Sequence, residues 1–241
     1  MNNPTPLLRC CAITAALFLT GISFSPSSSN LVNARTTPLN LHNNGGPYTT
    51  ARKVPFNVYI ESRCPDARDC LQKLVVPAYE QVADKVDFQI GYVGEVWTAP
   101  RRNVTCQHGF NECEGNRFLA CANEYADSVA DALDFNNCVL SSYERVPESK
   151  LLEECARDSD IDYGKIHECA YAKEGLDLLY NSVEDTISAG ANFSCTVQVD
   201  KELWCVRDDY EWQCGPEHYE VGELVKYIKK LSRKAERGGD L

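Results

Sequence analysis

Val54-Pro55-Phe56-Asn57-Val58-Tyr59-Ile60-Glu61-Ser62-Arg63-Cys64-Pro65-Asp66-Ala67-Arg68-Asp69-Cys70 is the stretch whose reading decides the fold. Apolar residues at 54, 56, 58 and 60 alternate with polar ones, the period of a strand. Cys64 follows the run and stands just before Pro65, a residue suited to the first position of a helix. A thiol placed there faces the unpaired N–H groups and positive dipole of the helix end, which stabilise a thiolate. Cys64 therefore reads as a redox nucleophile. Arg63 and Arg68 would favour the charged sulfur, and Asp66 and Asp69 would oppose it. Ala67 occupies the position three residues on, where a resolving cysteine would stand. Six residues of helix separate Cys64 from Cys70, a rise of about 9 Å, whereas bridged Cα atoms lie within about 7 Å. Cys70 is accordingly read as paired elsewhere, with a role as resolving thiol the less favoured alternative.

Reading outward, Leu71, Leu74 and Val75 continue the helix, which Pro77 kinks or ends. A second alternating run, Val86, Phe88, Ile90 and Tyr92, then completes a β-α-β unit with parallel strands and a right-handed crossover. Between about 100 and 190 the pattern turns helical, with helices expected near 116–133, 147–157 and 163–187; the pair Leu176 and Tyr180 supports the last. Two short strands, 195–199 and 203–206, flank a turn at Asp200-Lys201-Glu202. A final helix covers about 221–235. This order predicts an α/β chain: one thioredoxin-like domain over 53–237 with a disulfide-rich helical insertion over about 100–190.

At the N-terminus, Arg9 precedes an apolar run from Cys10 to Phe24 and a Ser-rich region, the pattern of a secretory signal. A spanning helix needs about 18 consecutive apolar residues. Residues 1–34 are assigned to the signal peptide and the start of a polar leader, with cleavage near 25–29 or at Val32-Asn33-Ala34. Residues 35–52 read as flexible leader. The expected destination is the extracellular space or the lumen of a lysosome or vacuole, with no membrane span after signal removal. A formal charge of −11 argues against nucleic acid or an anionic membrane as partner. The cationic residues Lys226, Lys229, Lys230, Arg233, Lys234 and Arg237 suit the C-terminal end of a helix.

Eleven of the 13 cysteines lie beyond the signal, a density that implies a disulfide framework in an exported chain. Cys106, Cys113, Cys121, Cys138, Cys155, Cys169, Cys195, Cys205 and Cys214 are the structural candidates, and Cys195 is placed with Cys205 or Cys214. An odd count leaves one thiol over, and position selects Cys64. Cys106, His108, Cys113 and Cys121 would also suit zinc, but export favours paired sulfur, so neither metal nor cofactor is expected. Asn103-Val104-Thr105 and Asn192-Phe193-Ser194 are glycosylation sequons; Asn103 is expected in an exposed connection, Asn192 closer to a strand and less accessible.

Cys106-Gln107-His108-Gly109-Phe110-Asn111-Glu112-Cys113-Glu114-Gly115-Asn116-Arg117-Phe118-Leu119-Ala120-Cys121 matches, at all its fixed positions, the C-Q-H-G-x2-E-C-x2-N-x4-C signature of the gamma-interferon-inducible lysosomal thiol reductase family. The resemblance runs from the strand at 54 to about Cys214. It implies a thioredoxin-like fold, a soluble glycoprotein of the secretory or endolysosomal route, and reduction of protein disulfides, often at acidic pH. The signature cysteines are expected to fix the start of the insertion, Asn116 to cap a helix, and His108 to make a structural hydrogen bond rather than act as a proton donor. In the family the reactive site is a C-x-x-C, whose first cysteine corresponds to Cys64 and whose second position holds Ala67. The proline that thioredoxin-like enzymes place in cis before the third strand is missing from Asn192-Phe193-Ser194-Cys195-Thr196-Val197.

Two functional classes follow. One is a thiol-disulfide oxidoreductase acting on disulfide-containing proteins through Cys64 alone, with external thiol or the substrate's second cysteine completing the cycle. The other is a non-catalytic secreted relative whose disulfide-braced scaffold binds a protein.

Overall fold

The computed structural model describes residues 52–238; the signal and nearly all of the leader lie outside them. β1 (Val54–Ile60) is the second strand of a five-stranded sheet. It pairs in parallel with β2 (Val86–Tyr92), Val54 opposite Val86 and Ile60 opposite Tyr92. On its other edge it runs antiparallel to β5 (Thr196–Val199), which continues into β6 (Glu202–Asp208) and the short β7 (Glu211–Trp212). The order β2-β1-β5-β6-β7 makes β1 an interior strand, paired along both edges. Its alternating residues Val54, Phe56, Val58 and Ile60 are all fully buried.

The crossover from β1 to β2 begins with α1 (Pro65–Cys70), passes through a wide turn over Leu71–Val75 and ends in α2 (Val76–Tyr79). The wide turn stands immediately before the region of Pro77, whose missing N–H interrupts regular helical bonding. A separate hairpin of β3 (Glu95–Trp97) and β4 (Asn103–Thr105) follows β2. Both strands are three residues long, too short to show a period in sequence.

The insertion contains α3 (Phe110–Tyr125), α4 (Val129–Ser141), α5 (Ser149–Asp158), α6 (Tyr163–Tyr171) and α7 (Lys173–Ser188). Two expected helices are therefore four. The helix expected near 116–133 divides where Ser128 caps α4, its Oγ accepting the Asp131 N–H at 3.1 Å. The one expected near 163–187 divides at Ala172, which is extended (ψ 174°). The turn between β5 and β6 holds Asp200 and Lys201 at φ 54° and 67°, as a two-residue hairpin turn of right-handed twist requires. α8 (Val221–Glu236) closes the described chain, packing on α2 and β1, while α7 packs on β2. No helix among the described residues is long and apolar enough to cross a membrane.

Disulfides staple the insertion internally. Cys106–Cys113 closes the approach to α3, Cys121–Cys169 joins α3 to α6, and Cys138–Cys155 joins α4 to α5. Cys205–Cys214 ties β6 to the segment after β7, and Cys70–Cys195 ties α1 to the start of β5. Cys195 thus bonds Cys70, not Cys205 or Cys214, because the chain before β5 runs under the helix that follows β1. With Cys106, Cys113 and Cys121 all bridged, a zinc site built on them does not form.

Cys121–Cys169 closes a 48-residue loop, and removing that constraint from the unfolded chain should cost about 4 kcal/mol on the chain-entropy account. The double variant Cys121→Ser/Cys169→Ser is expected to lose about 2–5 kcal/mol in urea unfolding. Unchanged stability would show that α3 and α6 are held by packing alone.

Candidate active site

Cys64 is the residue before the first turn of α1, with extended backbone (φ −96°, ψ 123°) and Pro65 at the first helical position. Its N–H donates to the Glu61 carbonyl at 3.2 Å, and its own carbonyl accepts from the Arg68 N–H at 3.2 Å. The chain therefore leaves β1 through a tight turn that aims Cys64 at the loop entering β5. There its Sγ lies 3.5 Å from the Ser194 carbonyl oxygen. The Ser194 side chain reaches the same turn, its Oγ accepting the Glu61 N–H at 2.8 Å. The Ser194–Cys195 peptide is cis, just before β5 in the stretch that lacks the proline.

The structure separates the expected site residues into two groups. Cys64, Ala67, Cys70 and Cys195 converge here, all fully buried. Cys64 is disulfide-bonded, in contrast to the free thiol that parity assigned to it. Cys70 is joined to Cys195 with Cα atoms 6.3 Å apart. The remaining cysteine pairs stand outside this cluster, as do Asn103 and Asn192. Both asparagines are exposed: Asn103 lies on β4 rather than in a loop, and Asn192 is no less accessible.

The charges around α1 are paired. Arg207, on β6, reaches Asp69 Oδ2 at 3.0 Å and Asp66 Oδ1 at 3.3 Å, with its guanidinium 5.2 Å from the Trp212 ring centre. Arg207 and Cys195 exchange backbone hydrogen bonds of 3.0 and 2.9 Å, so the strand paired with the Cys195 segment carries the cation facing the helix. Asp69 accepts in addition from Arg68 and Lys73. Burial pushes the Asp69 carboxyl up, but hydrogen bonds from Lys73 and Arg68 outweigh it and hold the group below its usual range. Burial dominates at Asp66 and raises it, against the opposing Tyr210 N–H and Arg207. Arg63 turns away, donating to the carbonyls of Val146 and Glu144 at 3.1 and 3.4 Å. Arg207 escaped the sequence reading because 138 residues separate it from Asp69.

The Cys-Gln-His-Gly segment and the first turns of α3 form the other wall. Gly109, the residue before α3, has φ +80°, a backbone conformation that favours glycine. His108 Nδ1 lies 2.5 Å from Glu112 Oε2, and the His108 N–H donates to Glu112 Oε1 at 3.0 Å. Asn116 does not cap α3. It sits inside the helix, where its Oδ1 accepts the Ser62 N–H at 2.9 Å. The Ser62 hydroxyl in turn donates to the Glu112 carbonyl at 3.2 Å. Gly115 leaves room for this approach, since a Cβ there would meet Ser62 Oγ at 2.6 Å. Glu61 is buried beside His108, and burial, then the negative charges of Glu112 and Asp208, push its carboxyl well above the ordinary range. Nothing in the local pattern sets Glu61 apart from the end of β1. A separate concavity, about 680 Å³ and lined by Tyr59, Gly91, Ser128 and Asp185 among others, shares none of these residues.

Residues 54–159 match the family described as gamma interferon inducible lysosomal thiol reductase. GILT-like protein 1 of Drosophila melanogaster is 31% identical over 153 residues, covering 57% of this chain and 61% of that protein. A gamma-interferon-inducible lysosomal thiol reductase-like protein of Anopheles gambiae is 31% identical over 140 residues, covering 53% and 58%. The chain thus spans about three fifths of these relatives' length. Among solved structures, DsbA of Chlamydia trachomatis aligns with TM-score 0.51 at 12% identity, covering 78% of this chain and 90% of that one. A variant of alpha-DsbA1 from Wolbachia pipientis aligns with TM-score 0.51 at 14% identity and the same coverage. The fold is thioredoxin-like, with a helical insertion.

Arg207→Met would leave two buried or half-buried carboxylates facing each other without their shared cation. Denaturant unfolding should show a loss of about 3–5 kcal/mol, partly recovered when Asp66 and Asp69 are also changed to Asn. A loss below about 0.5 kcal/mol, the range of an exposed pair, would mean that Arg207 does not hold α1 to β6.

Proposed function

We propose that this chain, whose residues 54–159 match the gamma interferon inducible lysosomal thiol reductase family, is a thiol-disulfide oxidoreductase that acts on protein disulfides through one nucleophilic cysteine, Cys64. The observation that carries this reading is the position of Cys64: just beyond the end of β1, at the start of α1, with Sγ against the Ser194 carbonyl. Reduction by a small thiol delivers the Cys64 thiolate. That sulfur attacks one sulfur of a substrate disulfide, forms a mixed disulfide and expels the other substrate sulfur as thiolate. Release then requires a second thiolate, which attacks the mixed disulfide and regenerates Cys64. Ala67 has no sulfur to offer, and Cys70 is engaged with Cys195. In this reading the second thiolate is either an external small thiol, two equivalents of which supply the two electrons of a net reduction and leave as their own disulfide, or a thiolate of the substrate, in which case the disulfide is rearranged without net reduction. Exposed sequons at Asn103 and Asn192, five internal disulfides and the signal-like N-terminus support a glycoprotein of the secretory or endolysosomal route.

The complete burial of Cys64 and the alanine at 67 favour the second reading, a non-catalytic binding protein on the same scaffold. An insulin-reduction assay between about pH 4.5 and about pH 7.5, a range spanning histidine titration, separates the two. The oxidoreductase reading predicts slow turnover that depends on added glutathione and disappears in Cys64→Ser. Turnover that survives Cys64→Ser would exclude this site, and no turnover under any thiol condition would leave the binding protein.

A further inference from the structure

We propose that Glu61, His108 and Glu112 form a binding site for one divalent transition-metal cation of zinc's class, with three protein ligands and a remaining position open to water. This goes beyond the oxidoreductase reading and does not depend on it. One ligand atom from each of the three side chains lies within 4.8 Å of the others. His108 Nδ1 is 2.5 Å from Glu112 Oε2 and 3.9 Å from Glu61 Oε2. A tetrahedral ion bound at about 2.0–2.2 Å holds its donors about 3.3–3.6 Å apart, a spacing that the two observed contacts bracket. Entry of the ion replaces the direct contact between Nδ1 and Glu112 Oε2, while Glu112 Oε1 keeps the His108 N–H.

Burial and unmet bonding point to a ligand. The side chains of Glu61, His108 and Glu112 are 1%, 5% and 0% exposed. Neither carboxylate oxygen of Glu61 has a hydrogen-bond partner, and His108 Nε2 has none. A buried carboxylate without a donor is costly. Among the described residues no lysine or arginine pairs with Glu61; the nearby cations Arg207 and Arg63 are committed to Asp66 with Asp69, and to the carbonyls of Val146 and Glu144. A doubly charged ion neutralises both carboxylates while the imidazole remains neutral. One nitrogen with two carboxylates suits zinc and its neighbours, whereas calcium and magnesium favour all-oxygen shells. No cysteine is required, since those nearest in sequence, Cys106 and Cys113, are bonded to each other.

The test is equilibrium dialysis of untagged, disulfide-intact protein, with any free thiols alkylated, against zinc chloride. The wild type should retain one zinc per chain. Glu61→Gln is the informative variant, because Glu61 makes no side-chain hydrogen bond that the change would break. It should keep its circular dichroism and disulfide map yet bind zinc more than about 100-fold more weakly, beyond the loss expected for a merely supporting residue. Cobalt-loaded protein should show d–d bands without a thiolate-to-cobalt charge-transfer band. No retained zinc, equal affinity in Glu61→Gln, or a thiolate band would each overturn the proposal.

Discussion

The backbone N–H groups of Glu61 and Ser62 are buried beyond the last β1–β2 pair, and a buried amide must find a partner. Neither finds it in the sheet. Glu61 donates to Ser194 Oγ from one side and Ser62 donates to Asn116 Oδ1 from the other. These two bonds fix the turn that presents Cys64, and they tie three distant parts of the chain together: the end of β1, the entry to β5 and the second turn of α3. The signature helix is placed by the same contacts. Gly109 sets its start, Gly115 lets Ser62 approach, and Glu112 and Asn116 face the turn. The Cys106–Cys113 bridge holds the approach to that helix from outside.

The rest of the site follows from this clamp. Once the turn is fixed, α1 must run beneath β6, and Asp66 and Asp69 come to face Arg207. The acidic residues that would oppose a thiolate at Cys64 are thereby neutralised in place. The Cys70–Cys195 bond ties α1 to the start of β5, which is paired with β6 through the Cys195–Arg207 backbone bonds, so covalent, ionic and backbone interactions together hold α1 against these two strands. Such a site can support nucleophilic attack by one sulfur. Ala67 offers no sulfur and Cys70 is bonded to Cys195, and the chemistry proposed for the site draws on an outside reductant.

Much of this frame is written in local pattern. Val54, Phe56, Val58 and Ile60, and likewise Val86, Phe88, Ile90 and Tyr92, alternate because one face of each strand is buried, and period two is visible in any short window. The place of Cys64 between strand and proline is equally local. What stays hidden depends on distance. Ala172 interrupts the α6–α7 stretch without Pro or Gly to mark it, and three-residue strands such as β3 and β4 carry no period. Arg207 meets Asp69, and Glu61 meets His108, only after the chain has folded across dozens of residues. Disulfide partners are hidden in the same way: Cys70 and Cys195 stand 125 residues apart, and spacing alone gives no pairing.

The central claim is that Cys64 is the sulfur presented for attack. It is tested most directly by trapping the mixed disulfide. Protein reduced mildly with a small thiol would be mixed with a peptide carrying one disulfide, quenched in acid and mapped by mass spectrometry. The account predicts peptide linked to Cys64, with Cys70–Cys195 and the insertion disulfides intact. Peptide linked to another cysteine while Cys64 is unmodified, or no adduct at all, would contradict it.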